Sequence, residues 1–239
     1  RYSLGSRKDP LMFVPLHDST PLKVIRFQTV TLSIIALNVG AYLATGAFTT
    51  DAVLAATATH WGVVPGELTG LSPSGLPDPV PEPLTLLTYA FLHGGWWHLI
   101  SNMLFLWVFA DNIEDAYGHV AFALLYLTCG AIAALAHVLV TPYSPAPLVG
   151  ASGAVSGILG SYLVLFPKAR VWILLFLRLP LRVGAVWVLL GWFGLQVFSW
   201  WMSRTSGTDI AWAAHIGGFL AGAAITWSIR RRLWLRMSA

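Results

Sequence analysis

The chain alternates between long stretches with almost no charge and short polar punctuations. Six of the apolar stretches, 25–48, 95–115, 119–140, 150–166, 183–202 and 209–229, have the ~17–25 residues a helix needs to cross a bilayer. The pattern therefore predicts an all-α membrane protein, a polytopic bundle of six transmembrane helices. The connection 49–94 is long and rich in Pro and Gly, yet apolar enough through Trp61 and several Leu and Val to be expected in the membrane interface. Val171–Leu177, bracketed by Arg170 and Arg178, is too short to cross and is expected as an interfacial strand or loop. Residues 203–208 are small and polar and are expected as a flexible lid at the outer end of the bundle.

Lysine and arginine orient this bundle. Arg1, Arg7, Lys8, Lys23 and Arg26 precede or begin the first span. Lys168, Arg170, Arg178 and Arg182 lie between the fourth and fifth, and Arg230, Arg231, Arg232 and Arg236 follow the sixth. With six spans, thirteen of the fourteen basic residues share one side and only Arg204 is on the other; five or seven spans destroy that asymmetry. The positive-inside rule then puts both termini in the cytoplasm. The expected organisation is a cytoplasmic segment 1–24, a six-helix domain 25–229 and a basic cytoplasmic tail 230–239. Residues 1–23 show no apolar core or cleavage site of a secretory leader, so insertion is expected to rely on the first internal span.

Composition agrees with lipid as the main solvent. The chain is 56% hydrophobic and 10% charged, against about 25% charged in soluble domains. A net charge of +4 does not signal nucleic acid, because the cations flank apolar runs instead of lining one polar surface. The lone Cys129 excludes an intrachain disulfide.

Polar groups inside a bilayer are candidates for function, and four of them fall at similar depths. Ser152 lies 15 residues before Pro167, hence ~22 Å above the cytoplasmic boundary and ~8 Å below the outer one. His215 falls ~9 Å below the start of the sixth span, and His98 and Asn102 ~5 and ~10 Å below the start of the second. Gly153 and Gly157 on the fourth span, and Gly218 and Gly222 on the sixth, are small-xxx-small pairs that let helix backbones approach closely. His215 and Gly218 are three apart, so the smooth face of the sixth span also carries the imidazole. Taken singly, the serine is most simply packing and the asparagine interhelical glue. Together they suit acyl transfer: a serine hydroxyl needs a base, and histidine supplies one near neutral pH. Asp111, Glu114 and Asp115 sit at the cytoplasmic end of the second span and Asp209 lies over a turn above His215, so a Ser–His dyad is expected. Ser152 at a helix N-terminus, with donors from His98 and Asn102, suits an oxyanion.

Three motifs carry a resemblance: His98-x-x-x-Asn102 on the second span, Gly150-Ala151-Ser152-Gly153 on the fourth, and Ala214-His215 followed by Gly218 and Gly222 on the sixth, with Glu114-x-x-x-Gly118 after the second span. In this order the chain resembles the rhomboid family of intramembrane serine proteases. The resemblance implies Ser152 as nucleophile, His215 as general base, and His98, Asn102 and the Ser152 backbone N–H as oxyanion hole, with Gly150 in the adjoining turn. It implies transmembrane protein substrates cut near the outer membrane face, no cofactor, no metal, and a bacterial plasma membrane; the sequence carries no signal for oligomeric state. Two positions depart from the family pattern. Pro83-Leu84-Thr85 stands where many members carry Trp-Arg, and Ser156 stands where many place an aromatic under the histidine ring.

Rival readings find less support. Transporters want paired ionisable groups near the midplane or broken helices in repeated halves, and no internal repeat appears. No H-E-x-x-H occurs, His93 and His98 are poorly spaced for one helix face, and Ala154 breaks G-x-S-x-G. His17, His60, His119 and His137 are read as interfacial or packing residues. Trp96, Trp97, Trp200, Trp201 and Trp212 suit an aromatic belt, and Trp187, Trp192, Phe193 and Phe198 are expected to face lipid. The nearest rival is an inactive rhomboid-like protein that binds membrane clients. A fluorophosphonate separates the two: an operative dyad is labelled at Ser152, and Ser152→Ala abolishes labelling.

Overall fold

The structure, a computed structural model, describes residues 13–72, 79–175, 177–206 and 211–238. In chain order the elements are strand β1 (Phe13–Asp18), helices α1 (Thr29–Thr45), α2 (Asp51–Trp61), α3 (Pro65–Leu68) and α4 (Glu82–Thr88), and a 3-10 turn at Tyr89–Phe91. There follow α5 (Trp96–Tyr117), α6 (His119–Val140), α7 (Ser152–Leu165), strands β2 (Arg170–Leu175) and β3 (Leu179–Gly184), and helices α8 (Ala185–Ser206) and α9 (Trp212–Ser238). Helices α1 and α5 to α9 grow from the six apolar stretches, because a charge-free chain in an apolar setting satisfies its backbone groups only within itself. Among the described residues, α6 and the Ala185–Ser203 part of α8 are long and apolar enough to cross a bilayer by length and composition. At 17 and 14 residues α1 and α7 are shorter, roughly 26 and 21 Å. Large apolar side chains such as Val120, Leu139 and Trp187 stand exposed around the bundle.

Helix α7 is the axis of the bundle, buried from Gly153 through Tyr162, and α9 lies directly on it. A Cβ on Gly218 would strike the Gly153 carbonyl, one on Gly222 the Gly157 carbonyl, and one on Gly160 the Phe219 carbonyl. The two backbones therefore touch without intervening side chains. Ser161 Oγ bridges them, donating to the Gly157 and Gly222 carbonyls at 2.9 and 3.1 Å.

Two buried acids tie the end of α5 to the start of α1. Glu114 accepts the N–H groups of Val30 and Thr31 at 2.9 and 2.7 Å and the Thr31 hydroxyl at 2.7 Å, so its carboxylate caps the start of α1, where the helix dipole favours negative charge. Asp115 accepts the N–H groups of Lys23, Val24 and Ile25 at 2.9, 2.7 and 2.7 Å. His119, read from sequence as an interfacial or packing residue, pairs with Glu114 at 2.5 Å. Gly118 takes a φ of 77°, which favours glycine, and leaves room for the Arg236 guanidinium. Arg236 donates to the Tyr117 carbonyl at 2.7 Å.

Several expectations change. The fold is mostly helical but not all-α: β1, β2 and β3 form a three-stranded antiparallel sheet in that order. Phe13 pairs with Leu175 and Asp18 with Val171, with a register shift between Pro15 and His17, while Val171 pairs with Val183. Val171 and Ile173 are buried and Trp172 is exposed, as a period of two requires; Pro15 and Pro180 lie in the edge strands, where a missing N–H is tolerated. The connection 49–94 contains α2 to α4, with the Thr50 hydroxyl accepting the Val53 N–H at 3.4 Å as an N-cap on α2. Helix α9 continues to Ser238, so Arg230 to Arg236 lie on it and not in a separate tail. Of the lid expected at 203–208, residues 203–206 belong to α8 and 207–208 lie outside the described residues, as do Arg1, Arg7, Lys8 and Asp209.

Gly222→Val tests the backbone contact. Overpacking there is expected to destabilise by about 3 kcal/mol and to lower the Tm by roughly 6–12 °C, measured by circular dichroism in detergent. An unchanged Tm would mean that the helices do not touch at this point.

Candidate active site

The turn into α7 is built around Gly150. Its φ of 122° is a conformation that side-chain-bearing residues rarely adopt, and its N–H donates to the Tyr89 carbonyl at 2.9 Å. A Cβ on Gly150 would sit 2.5 Å from Cε1 and 2.6 Å from Nε2 of His98; the missing side chain is the space the His98 ring occupies. Ser152 follows as the first residue of α7, and the N–H groups of a first helical turn have no intrahelical acceptor.

Across the glycine contact, α9 begins at Trp212 and presents His215 in its first turn. His215 Nε2 and Ser152 Oγ are 2.8 Å apart. On the other edge of the ring, Nδ1 lies 2.8 Å from Oε1 of Gln196, a buried residue of α8. An amide oxygen only accepts, so Nδ1 carries the proton and Nε2 keeps its lone pair for the serine hydroxyl. This is the chain of contacts a nucleophile, a base and an orienting group require.

The sequence-predicted residues thus fall into two linked groups. Ser152 and His215 are in direct contact, and Gly153, Gly157, Gly218 and Gly222 form the backbone contact beside them. His98 rests on Gly150, two residues before the serine. Asn102 is buried, and its Nδ2 donates to the His98 carbonyl at 3.0 Å and faces His93 Nε2 at 3.2 Å. His93, set aside in the sequence as an ill-spaced partner for a metal, packs edge-on against His98 at 5.1 Å. Ser152, His98 and His215 are each half-buried. Among the described residues no three His, Cys, Asp or Glu side chains converge as a metal site.

Sequence reasoning missed Gln196. The signal was present: Gln196 lies six residues below the predicted outer end of the fifth span, ~9 Å deep, in the layer that holds Ser152 and His215. The fifth span was read for its aromatic residues, and its amide was passed over. Trp192 and Phe193 also differ from the expected lipid-facing role. Trp192 sits 6.1 Å from the His215 ring, and Phe193 stacks on Phe219 at 4.5 Å. Trp212 meets the same imidazole edge-on at 6.0 Å. The aromatic neighbours of the histidine therefore come from α8 and α9, while Ser156 on α7 donates to the Ser152 carbonyl at 2.6 Å.

The family model of the rhomboid domain matches residues 81–232. Rhomboid protein 1, mitochondrial, of Saccharomyces cerevisiae is 32% identical over 167 residues, covering 64% of this chain and 44% of the yeast protein. Rhomboid protease GluP of Bacillus subtilis is 33% identical over 138 residues, 57% of this chain and 24% of that protein. The putative rhomboid protease YdcA of the same bacterium is 36% identical over 78 residues, 33% of this chain and 39% of its own length. The chain spans less than half the length of each of these relatives.

Gly150→Ala is expected to destabilise by about 1–3 kcal/mol through backbone strain, to displace His98 and to slow fluorophosphonate labelling more than ~10-fold. A variant that melts and reacts like the wild type would remove the constraint assigned to this turn.

Proposed function

Because the chain belongs to the rhomboid domain family, we propose that it is an intramembrane serine endopeptidase cutting membrane-protein substrates. The observation that carries this reading is the 2.8 Å contact between Ser152 Oγ and His215 Nε2. His215 Nε2 takes the hydroxyl proton as Oγ attacks the scissile carbonyl carbon, giving a tetrahedral oxyanion. The intermediate collapses as the imidazolium returns its proton to the leaving amine, the C–N bond breaks and an acyl-serine remains. Water, deprotonated by the same imidazole, then attacks the ester; the acid leaves and the proton returns to Oγ. The half-buried state of Ser152 and His215 supports access for that water.

In this reading His98, Asn102 and the Ser152 N–H stabilise the oxyanion. The two Asn102 contacts at 3.0 and 3.2 Å engage both N–H groups of its amide in the resting site. Donation to the oxyanion then requires one to exchange from His93 or from the His98 carbonyl.

The same reading takes α1 and α5 to α9 as six spans with both termini in the cytoplasm, residues 25–229 as the protease domain, 49–94 as its membrane-embedded first loop, and a bacterial plasma membrane as the site of insertion. Support comes from the distribution of Lys and Arg, thirteen of fourteen on one side. Substrates are transmembrane proteins cut near the non-cytoplasmic face, where the dyad lies by helix rise.

Purified protein in detergent, given a transmembrane substrate, tests the reading. Ser152→Ala and His215→Ala are each expected to lower cleavage at least ~1,000-fold with the Tm retained. Equal cleavage by wild type and both variants ends the proposal.

A further inference from the structure

Helix α8 turns one face inward. Leu189, Trp192, Phe193 and Gln196 recur at the i, i+3, i+4, i+7 spacing of a single helical stripe. Leu189 and Gln196 are buried, Phe193 stacks on Phe219, and Trp192 packs beside His215 and Phe219. The other faces show Trp187, Leu190, Leu195, Val197 and Phe198 to the surround. Gln196 is thus a polar group on the face where an apolar side chain would pack most simply, and burying an amide is unfavourable unless it is hydrogen-bonded. Its Oε1 meets that need at His215 Nδ1, 2.8 Å away.

We infer that Gln196 is a positioning residue that holds His215 in the Nδ1–H tautomer with Nε2 aimed at Ser152, extending the dyad to a Ser–His–Gln relay whose third member comes from α8. The inference rests on the proteolytic reading of the same site. Geometry limits the alternatives for the ring. Without an acceptor at Nδ1, a neutral imidazole is free to carry its proton on Nε2, and in that tautomer it cannot accept from the serine hydroxyl. A neutral amide suits this depth, since an ionised carboxylate carries a large desolvation penalty in a bilayer. During the reaction the amide oxygen also faces the N–H edge of the imidazolium, so it stabilises the charge that forms without bearing one itself. The competing account is that Gln196 only fastens α8 to α9, as interhelical amides do.

Gln196→Met keeps the length and packing of the side chain and removes the strong acceptor; Gln196→Glu restores one. Selective 15N-histidine labelling reads the ring tautomer directly, and fluorophosphonate labelling and substrate cleavage read the nucleophile. In wild type the His215 signals are expected to report protonated Nδ1 and unprotonated Nε2. Gln196→Met shifts them toward the other tautomer and lowers kcat about 10- to 100-fold, with KM unchanged within about 2-fold. Gln196→Glu returns labelling to within about 3-fold of wild type. Wild-type tautomer and kcat in Gln196→Met, even with a lowered Tm, overturn the inference and leave Gln196 as a fastener. Failure of the proteolytic reading has a different signature: wild type and Ser152→Ala alike remain unlabelled, and the nitrogen shifts still decide what Gln196 does to the ring.

Discussion

Everything at the site depends on two helix backbones being allowed to touch. In lipid no hydrophobic force drives one apolar helix onto another, and close packing must come from van der Waals contact and hydrogen bonds. Helices α7 and α9 achieve it through glycine, with Gly218 against the Gly153 carbonyl and Gly222 against the Gly157 carbonyl. The serine begins one of these helices and the histidine lies in the first turn of the other, so their separation is inherited from the glycine contact. A slip of one residue along α9 would move His215 by ~1.5 Å and turn it by ~100°, more than a 2.8 Å hydrogen bond survives.

The acids of the chain serve a different purpose from the hydroxyl and the imidazoles. Glu114 and Asp115 are buried, and both carboxylates are filled by backbone N–H groups at the entry to α1, with Thr31 and His119 as further partners of Glu114. Charge-assisted bonds of this kind are strong and directional. They fasten the first helix to the end of α5, while Arg236 fastens the end of α9 to the Tyr117 carbonyl beside it. This end of the bundle is held by ions, and the end that carries Ser152 by hydrogen bonds from Ser152 through His215 to Gln196 and between Asn102 and His93.

Much of this was legible in the sequence because it is written in local patterns. Apolar runs of bilayer length became α1 and α5 to α9, with ends displaced by a few residues except that α9 runs on to Ser238, and helix rise alone put Ser152 and His215 in one layer. Of the sheet only the middle strand was legible, in the short apolar stretch 171–177, and its pairing was not. Its strands are six residues long, two of them contain proline, and Phe13 meets Leu175 across more than half the chain; no local period encodes such a pairing. Gln196 and His93 escaped for another reason. The role of each is set by a neighbour in space and not by local spacing, His215 for Gln196 and Asn102 for His93. Trp192 was misplaced because hydropathy cannot tell a ring facing lipid from a ring facing an imidazole.

The base of α8 is moored where the sheet ends. The Ala185 N–H donates to the Ala169 carbonyl at 2.8 Å, and β3 runs straight into the helix at Gly184. Gln196 stands eleven residues along from that mooring, an arm of ~16 Å. A lean of roughly 4° about the base carries the amide sideways by about 1 Å, enough to stretch its bond to the imidazole beyond hydrogen-bond range. The helix is therefore a lever whose far arm ends at a single ring, and its tilt sets whether the amide still reaches Nδ1.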